Sequence, residues 1–140
     1  MKIRNLLFII LPTLLIVSCD PGLVNNYVVE NNSDYEINVT IKVNKLRISV
    51  LKNDSTYRTH LKKSEVKKIA SYGQIGNAHD KGDHFLEDID TLIIETGNLK
   101  LAKNVYDRSN WKLNLKKSFF SMDEANYTLV INNMDFNLPV

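Results

Sequence analysis

One cysteine, three prolines and five glycines in 140 residues leave little room for several structural classes. A single Cys excludes a disulfide framework and a Cys-rich zinc module. The Gly and Pro counts exclude collagen-like and low-complexity chains. Neither sign of charge dominates: 18 Lys+Arg stand against 16 Asp+Glu, a net charge of +2. That is too little for the basic footprint of a nucleic-acid binder, so no nucleic-acid partner is expected. Alanine is scarce too, with four residues against 17 Asn. Ala is the best helix former and Asn favours turns, which works against long helices. At this length one domain is expected.

The one long apolar run is at the start. Met1-Lys2-Ile3-Arg4-Asn5 carries two positive charges, and Leu6 to Val17 is then uncharged and almost wholly apolar. A basic start, an apolar segment of about 7–15 residues and small residues after it make a secretory signal peptide. The run is shorter than the ~20 apolar residues of a stable span. Ser18-Cys19 closes it, and Asp20-Pro21-Gly22 breaks any continuing helix. Lys2 and Arg4 leave with the signal, so residues 19–140 carry sixteen basic and sixteen acidic side chains.

Ile16-Val17-Ser18-Cys19 resembles the bacterial lipobox. The resemblance implies a thioether-linked lipid on Cys19, cleavage before it, and acylation of the new amine. A thiolate is the nucleophile that accepts the lipid, so the position demands Cys. Two or three acyl chains give stable anchoring at ~0.8 kcal/mol per buried CH₂. The expected organisation is a signal peptide over 1–18, a lipidated tether over 19–26 and one domain over 27–140.

That domain reads as strands. In Tyr35 to Val43, Ile37, Val39, Ile41 and Val43 point one way and Glu36, Asn38, Thr40 and Lys42 the other. Asn44-Lys45 fits a hairpin turn that places Ile41 opposite Ile48 and Val39 opposite Val50, with Lys42 facing Arg47. A second hairpin pairs Thr91–Thr96 with Leu99–Ala102 across Gly97-Asn98, which sets Glu95 against Lys100. Further strands are expected at 26–30, 55–61, 65–71, 110–116 and 126–132, with a helical turn over Ser121–Ala125. About eight short strands with one polar face each give an all-β fold, an antiparallel β-sandwich, immunoglobulin-like or similar. The 122 residues after the signal suffice for a two-sheet core without disulfides.

Gly73 to Asp88 stands out as a long loop, a length that is often functional when ordered. Within it His79, Asp80, Asp83 and His84, with Glu87, Asp88 and Asp90 nearby, form the densest group of potential metal ligands. Their spacing matches neither HExxH nor an EF-hand, so a solvated acidic loop is the first expectation, without metal or cofactor. No Gly-x-Ser-x-Gly elbow is present, and a lipidated Cys leaves no free thiol, so no catalytic residue is assigned. Lys62, Lys63, Lys67 and Lys68 suit a solvated face or the guarding of an edge strand, with an anionic surface as a further use. Trp111, Tyr106 and Tyr127 are candidates for a sugar-stacking platform, although alternation places Trp111 and Tyr127 in the core.

Most of the chain resembles small lipoproteins of Bacteroidetes. The similarity rests on Ser18-Cys19, on the first strand leading into Glu30-Asn31-Asn32-Ser33-Asp34, on Phe85 to Ile94, and on Tyr127 to Ile131 followed by Asn132 to Asp135. It implies a β-sandwich on a lipid tether and brings no activity with it. Asn-x-Ser/Thr at Asn31, Asn38, Asn53 and Asn126 would stay unmodified in such a protein. Asp54-Ser55-Thr56 and Asp90-Thr91-Leu92 resemble the O-glycosylation motif of that group, with Ser55 the better candidate because Thr91 falls in a strand. The expected function is a non-catalytic binding or accessory module with a protein or glycan partner. It is expected to be held to the membrane through Cys19 and to face the periplasm. The alternatives are a structural envelope component assembling through sheet edges, and a metal-binding protein using the 73–90 loop.

Overall fold

The computed structural model describes residues 22–43, 56–97, 99–118 and 121–137. Among the described residues nine strands form: β1 (Gly22–Asn31), β2 (Ile37–Val43), β3 (Thr56–Leu61), β4 (Val66–Ile75), β5 (Ile89–Thr96), β6 (Leu99–Leu101), β7 (Trp111–Lys116), β8 (Asp123–Ile131) and β9 (Phe136–Asn137). They make a four-stranded sheet, β4-β1-β8-β7, and a five-stranded sheet, β3-β2-β5-β6-β9. Side chains from both inner faces share one core, so the fold is the expected all-β sandwich. Among the described residues helical structure is limited to 3-10 turns at Gly82–His84, Arg108–Asn110 and Asn133–Asp135.

Period-2 alternation decides which face each strand buries. Ile37, Val39, Ile41 and Val43 of β2 are buried, as are Ala125, Tyr127, Leu129 and Ile131 of β8. Each such side chain contributes about 1.5–3 kcal/mol on burial. The Gly97 hairpin holds the expected register, Glu95 opposite Lys100 and Thr96 opposite Leu99. Gly97 sits at φ +48°, the left-handed conformation that such a two-residue turn requires.

Four expectations change. The expected tether reaches into the fold: Gly22–Asn26 belong to β1, where β4 pairs on one side and β8 on the other. The expected helical turn over 121–125 is instead the start of β8, because nine residues of tertiary pairing outweigh local preference. The 73–88 loop is shorter, since β4 runs to Ile75. The Asn44-Lys45 turn and Leu46–Val50 lie outside the described residues, but both edges of β2 are taken. Val39 pairs with Thr59 and Ile94, and Ile41 with Tyr57 and Leu92. Lys42 then meets Asp90 at 2.9 Å instead of the like charge of Arg47.

One strand pair is parallel. β1 and β8 run side by side in register from Leu23 opposite Asp123 to Asn31 opposite Ile131, and all other described pairs are antiparallel. Tyr27 and Tyr127 stack across this pair, their rings 5.6 Å apart and 14° from parallel. On the outer face Ser71 Oγ donates to Asn26 Oδ1 at 2.7 Å, and Asn26 Nδ2 donates to Asn126 Oδ1 at 3.0 Å.

Asn31 ties the two sheets at the end of β1. Its fully buried amide donates to the carbonyls of Tyr35 (2.8 Å) and Lys62 (3.0 Å) and accepts from Ser33 Oγ (2.6 Å). Asn31→Ala leaves these groups without their partner and is expected to cost about 2–3 kcal/mol. Urea unfolding followed by Trp111 fluorescence checks this, and an unchanged midpoint would contradict it.

Candidate functional site

A shallow depression of about 600 Å³ opens on the outward face of the five-stranded sheet. Strand register builds it in two rows. Thr40 on β2 is flanked by Arg58 on β3 and Ile93 on β5; Asn38 is flanked by His60 and Glu95. Ile93 is 47% exposed on an interior strand of the sheet, where outward positions are otherwise polar. His60 is fixed by its neighbours, with Nδ1 3.1 Å from Asn38 Oδ1 and Nε2 3.2 Å from Glu36 Oε2. Among the described residues Arg58 and Glu95 make no ion pair or hydrogen bond. Among the described residues the depression therefore has an unpaired guanidinium on its β3 side and an unpaired carboxylate next to exposed Ile93 on its β5 side, with Thr40 and Asn38 between them.

The 76–88 loop uses its charges differently. Lys81 Nζ is 5% exposed and donates to Glu87 (2.8 Å), Asp88 (3.3 Å) and Gln74 (3.4 Å). Arg108 grips Asp80 with two parallel bonds of 2.9 and 2.8 Å, which holds that carboxyl below the usual carboxylate range. The same guanidinium lies 5.3 Å from the Tyr127 ring centroid and donates to the Trp111 carbonyl at 2.6 Å. Tyr27 donates its hydroxyl to the Phe85 carbonyl, and Tyr127 accepts from the Lys81 amide at 3.0 Å. These contacts close the loop over an aromatic cluster in which Phe85 lies 5.5 Å and Tyr27 6.3 Å from Trp111. Burial, assisted by the Asp88 charge, raises the Tyr27 phenol well above its ordinary value and pushes Tyr72 up to about 12, so both remain donors.

The candidate ligands His79, Asp80, Asp83 and His84 stay apart among the described residues. Asp80 is occupied by Arg108, His79 Nδ1 sits 2.9 Å from its neighbour's Asn77 carbonyl, and Asp83 and His84 are exposed. Among the described residues no three His, Cys, Asp or Glu side chains converge as a ligand set. Of the lysines, Lys67 and Lys68 lie on β4, an edge strand, and Lys63 pairs with Asp34. Trp111 and Tyr127 are buried core, and Tyr106 is held at the Leu92 amide (3.0 Å), so the three form no stacking platform. Cys19, Asn53 and Ser55 lie outside the described residues. Asn25 is fully buried without a hydrogen-bond partner among the described residues, and nothing in the structure accounts for it.

Two signals in the sequence were available for what the motif reading missed. An apolar residue at an outward position, Ile93, marks the depression. The Asn-Tyr pair repeated at 26–27 and 126–127 marks the parallel strands. Among the described residues no helix is long and apolar enough to cross a membrane. Comparison with protein-family models, with curated proteins and with solved structures finds no match to this chain.

Two expected outcomes follow from the loop. Lys81→Met strips Asp88 of its buried cation and should cost about 3–5 kcal/mol in urea unfolding, since an unpaired buried charge is left behind; a loss below a fifth of that would contradict the arrangement. Asp123 accepts from the amides of Ala78 (3.0 Å) and Ser118 (2.9 Å), which hold its carboxyl below the usual range. A folded-state value below the unfolded one gives stability that is full above about pH 4 and lost as pH falls through the folded value. Asp123→Asn should flatten this acid limb in thermal melts run across pH 2–6, and an unchanged slope would contradict it.

Proposed function

We propose that the protein is a lipid-anchored, non-catalytic binding module of the bacterial cell envelope, facing the periplasm, with the depression as its ligand surface. The carrying observation is that, among the described residues, Arg58 across Thr40 and Glu95 next to exposed Ile93 are left unpaired around one depression. Unpaired donors and acceptors beside an exposed aliphatic side chain suit a ligand that alternates hydroxyls with C–H faces, as a glycan does. Both ring nitrogens of His60 are engaged by Asn38 and Glu36, which favours a positioning role for the imidazole over a catalytic one. Support for the anchor is the lipobox-like Ile16-Val17-Ser18-Cys19 at the end of a signal-like run. Assembly through sheet edges is less favoured, because Lys67 and Lys68 line β4 and Lys112 and Lys116 line β7.

A glycan array probed with the purified protein tests the ligand surface. Binding to a defined glycan class, weakened at least about tenfold by Arg58→Ala (the loss of one charge-assisted hydrogen bond) with unchanged circular dichroism, is the expected result. Binding indifferent to Arg58→Ala and Glu95→Gln would contradict it. The anchor is tested by Cys19→Ala, which should move the protein from the detergent phase to the aqueous phase and abolish palmitate labelling.

A further inference from the structure

The strand directions bring one end of the four-stranded sheet together. Gly22, where β1 starts, pairs with Ile75, where β4 ends; Leu23 pairs with Asp123 at the start of β8, and Lys116 at the end of β7 pairs with Glu124. This end is unusually apolar for a surface. Ile75 is 78% exposed and Met122 is 56% exposed, and Met122 packs directly on Gly22. Lys116 and Lys117 are exposed at the rim at the end of β7, two strands from β1. Each has an acidic neighbour: Glu124 lies 3.9 Å from Lys116, and Lys117 is near Asp123, which accepts from the amides of Ala78 and Ser118.

The chain before Gly22 fixes what can reach this end. Only Asp20 and Pro21 separate Cys19 from Gly22. Three Cα–Cα steps span at most about 11 Å, so a lipid on Cys19 would hold this end against the headgroups. We propose that Ile75 and Met122, which flank Gly22, seat in the interfacial region of that bilayer, with Lys116 and Lys117 at the level of its headgroups. The proposal rests on the lipid anchor proposed above. Amphipathic anchors combine buried apolar surface with attraction to anionic lipid in the same way. Seated so, the sandwich stands on its β1 end, and Met134, 90% exposed beyond the opposite end of β8, points away from the membrane.

The test labels Met122→Cys with an environment-sensitive fluorophore in the lipidated protein, reconstituted in phosphatidylcholine vesicles with or without phosphatidylglycerol. Ile75→Cys serves as a second labelled site and Met134→Cys as the distal control. Mass spectrometry of the N-terminal peptide reads the lipid separately. The expected result is a blue shift at 122 and 75, quenching there by spin-labelled lipid, and no change at 134. The shift should be larger with phosphatidylglycerol and lose that preference in Lys116→Glu/Lys117→Glu. A water-like probe at both sites on a lipidated protein overturns the seating and leaves the anchor intact. An unlipidated N-terminal peptide overturns the anchor, and a vesicle-dependent shift in that protein would still support the seating. A shift that grows with protein concentration without vesicles identifies the patch as a self-contact and overturns the proposal.

Discussion

The parallel pairing of β1 with β8 is the contact on which the rest of the sandwich depends. It joins residues a hundred positions apart in register, and it occupies the middle of the four-stranded sheet. Closing so long a segment costs entropy that grows only slowly with length, so one well-packed pair can offset it. The packing is supplied by Tyr27 on Tyr127, with Trp111, Phe85 and Tyr72 edge-on or tilted against them. The 76–88 loop closes over that cluster. Without the stack, Arg108 would lose the ring it covers and Lys81 the hydroxyl its amide bonds.

Polarity is divided between two jobs. At the loop, Lys81 and Asp88 satisfy one another out of solvent, and Arg108 from the 108–110 turn holds half-exposed Asp80, so little of their charge is left for a ligand. Buried pairs of this kind fix a conformation more than they stabilise it. On the outer face of the five-stranded sheet the balance is reversed. There, among the described residues, Arg58 and Glu95 make no ion pair; exposed to water, they cost the fold little unpaired and are available for recognition. The densest cluster of titratable residues in the sequence is thus structural, and the sparser one is the better candidate site.

Period-2 alternation made the core legible, because β2, β5 and β8 each bury one apolar face and β7 buries Trp111. The Gly97 turn was legible for a different reason: its backbone demand and the opposite charges of Glu95 and Lys100 at facing positions specify the same register. Long-range pairing was not legible. Nothing local in Asp20–Asn26 distinguishes a tether from a strand that two distant partners hold, and Ser121–Ala125 looks helical until Leu23–Asn31 lies beside it. The depression was hidden for the same reason. Arg58, Thr40 and Ile93 come from three strands, and only register makes them neighbours.

Strand β1 links the two ends of this account, since it carries the central pairing and begins three positions after Cys19. The proposed seating follows from this short link, which would set a lipid-anchored sandwich directly on the bilayer. Neutron reflectometry of the lipidated protein on a supported membrane measures it most directly. The account predicts a protein layer contiguous with the headgroups, one upright sandwich thick and without a water layer between. A hydrated gap beneath the protein, or no retained layer, would contradict it.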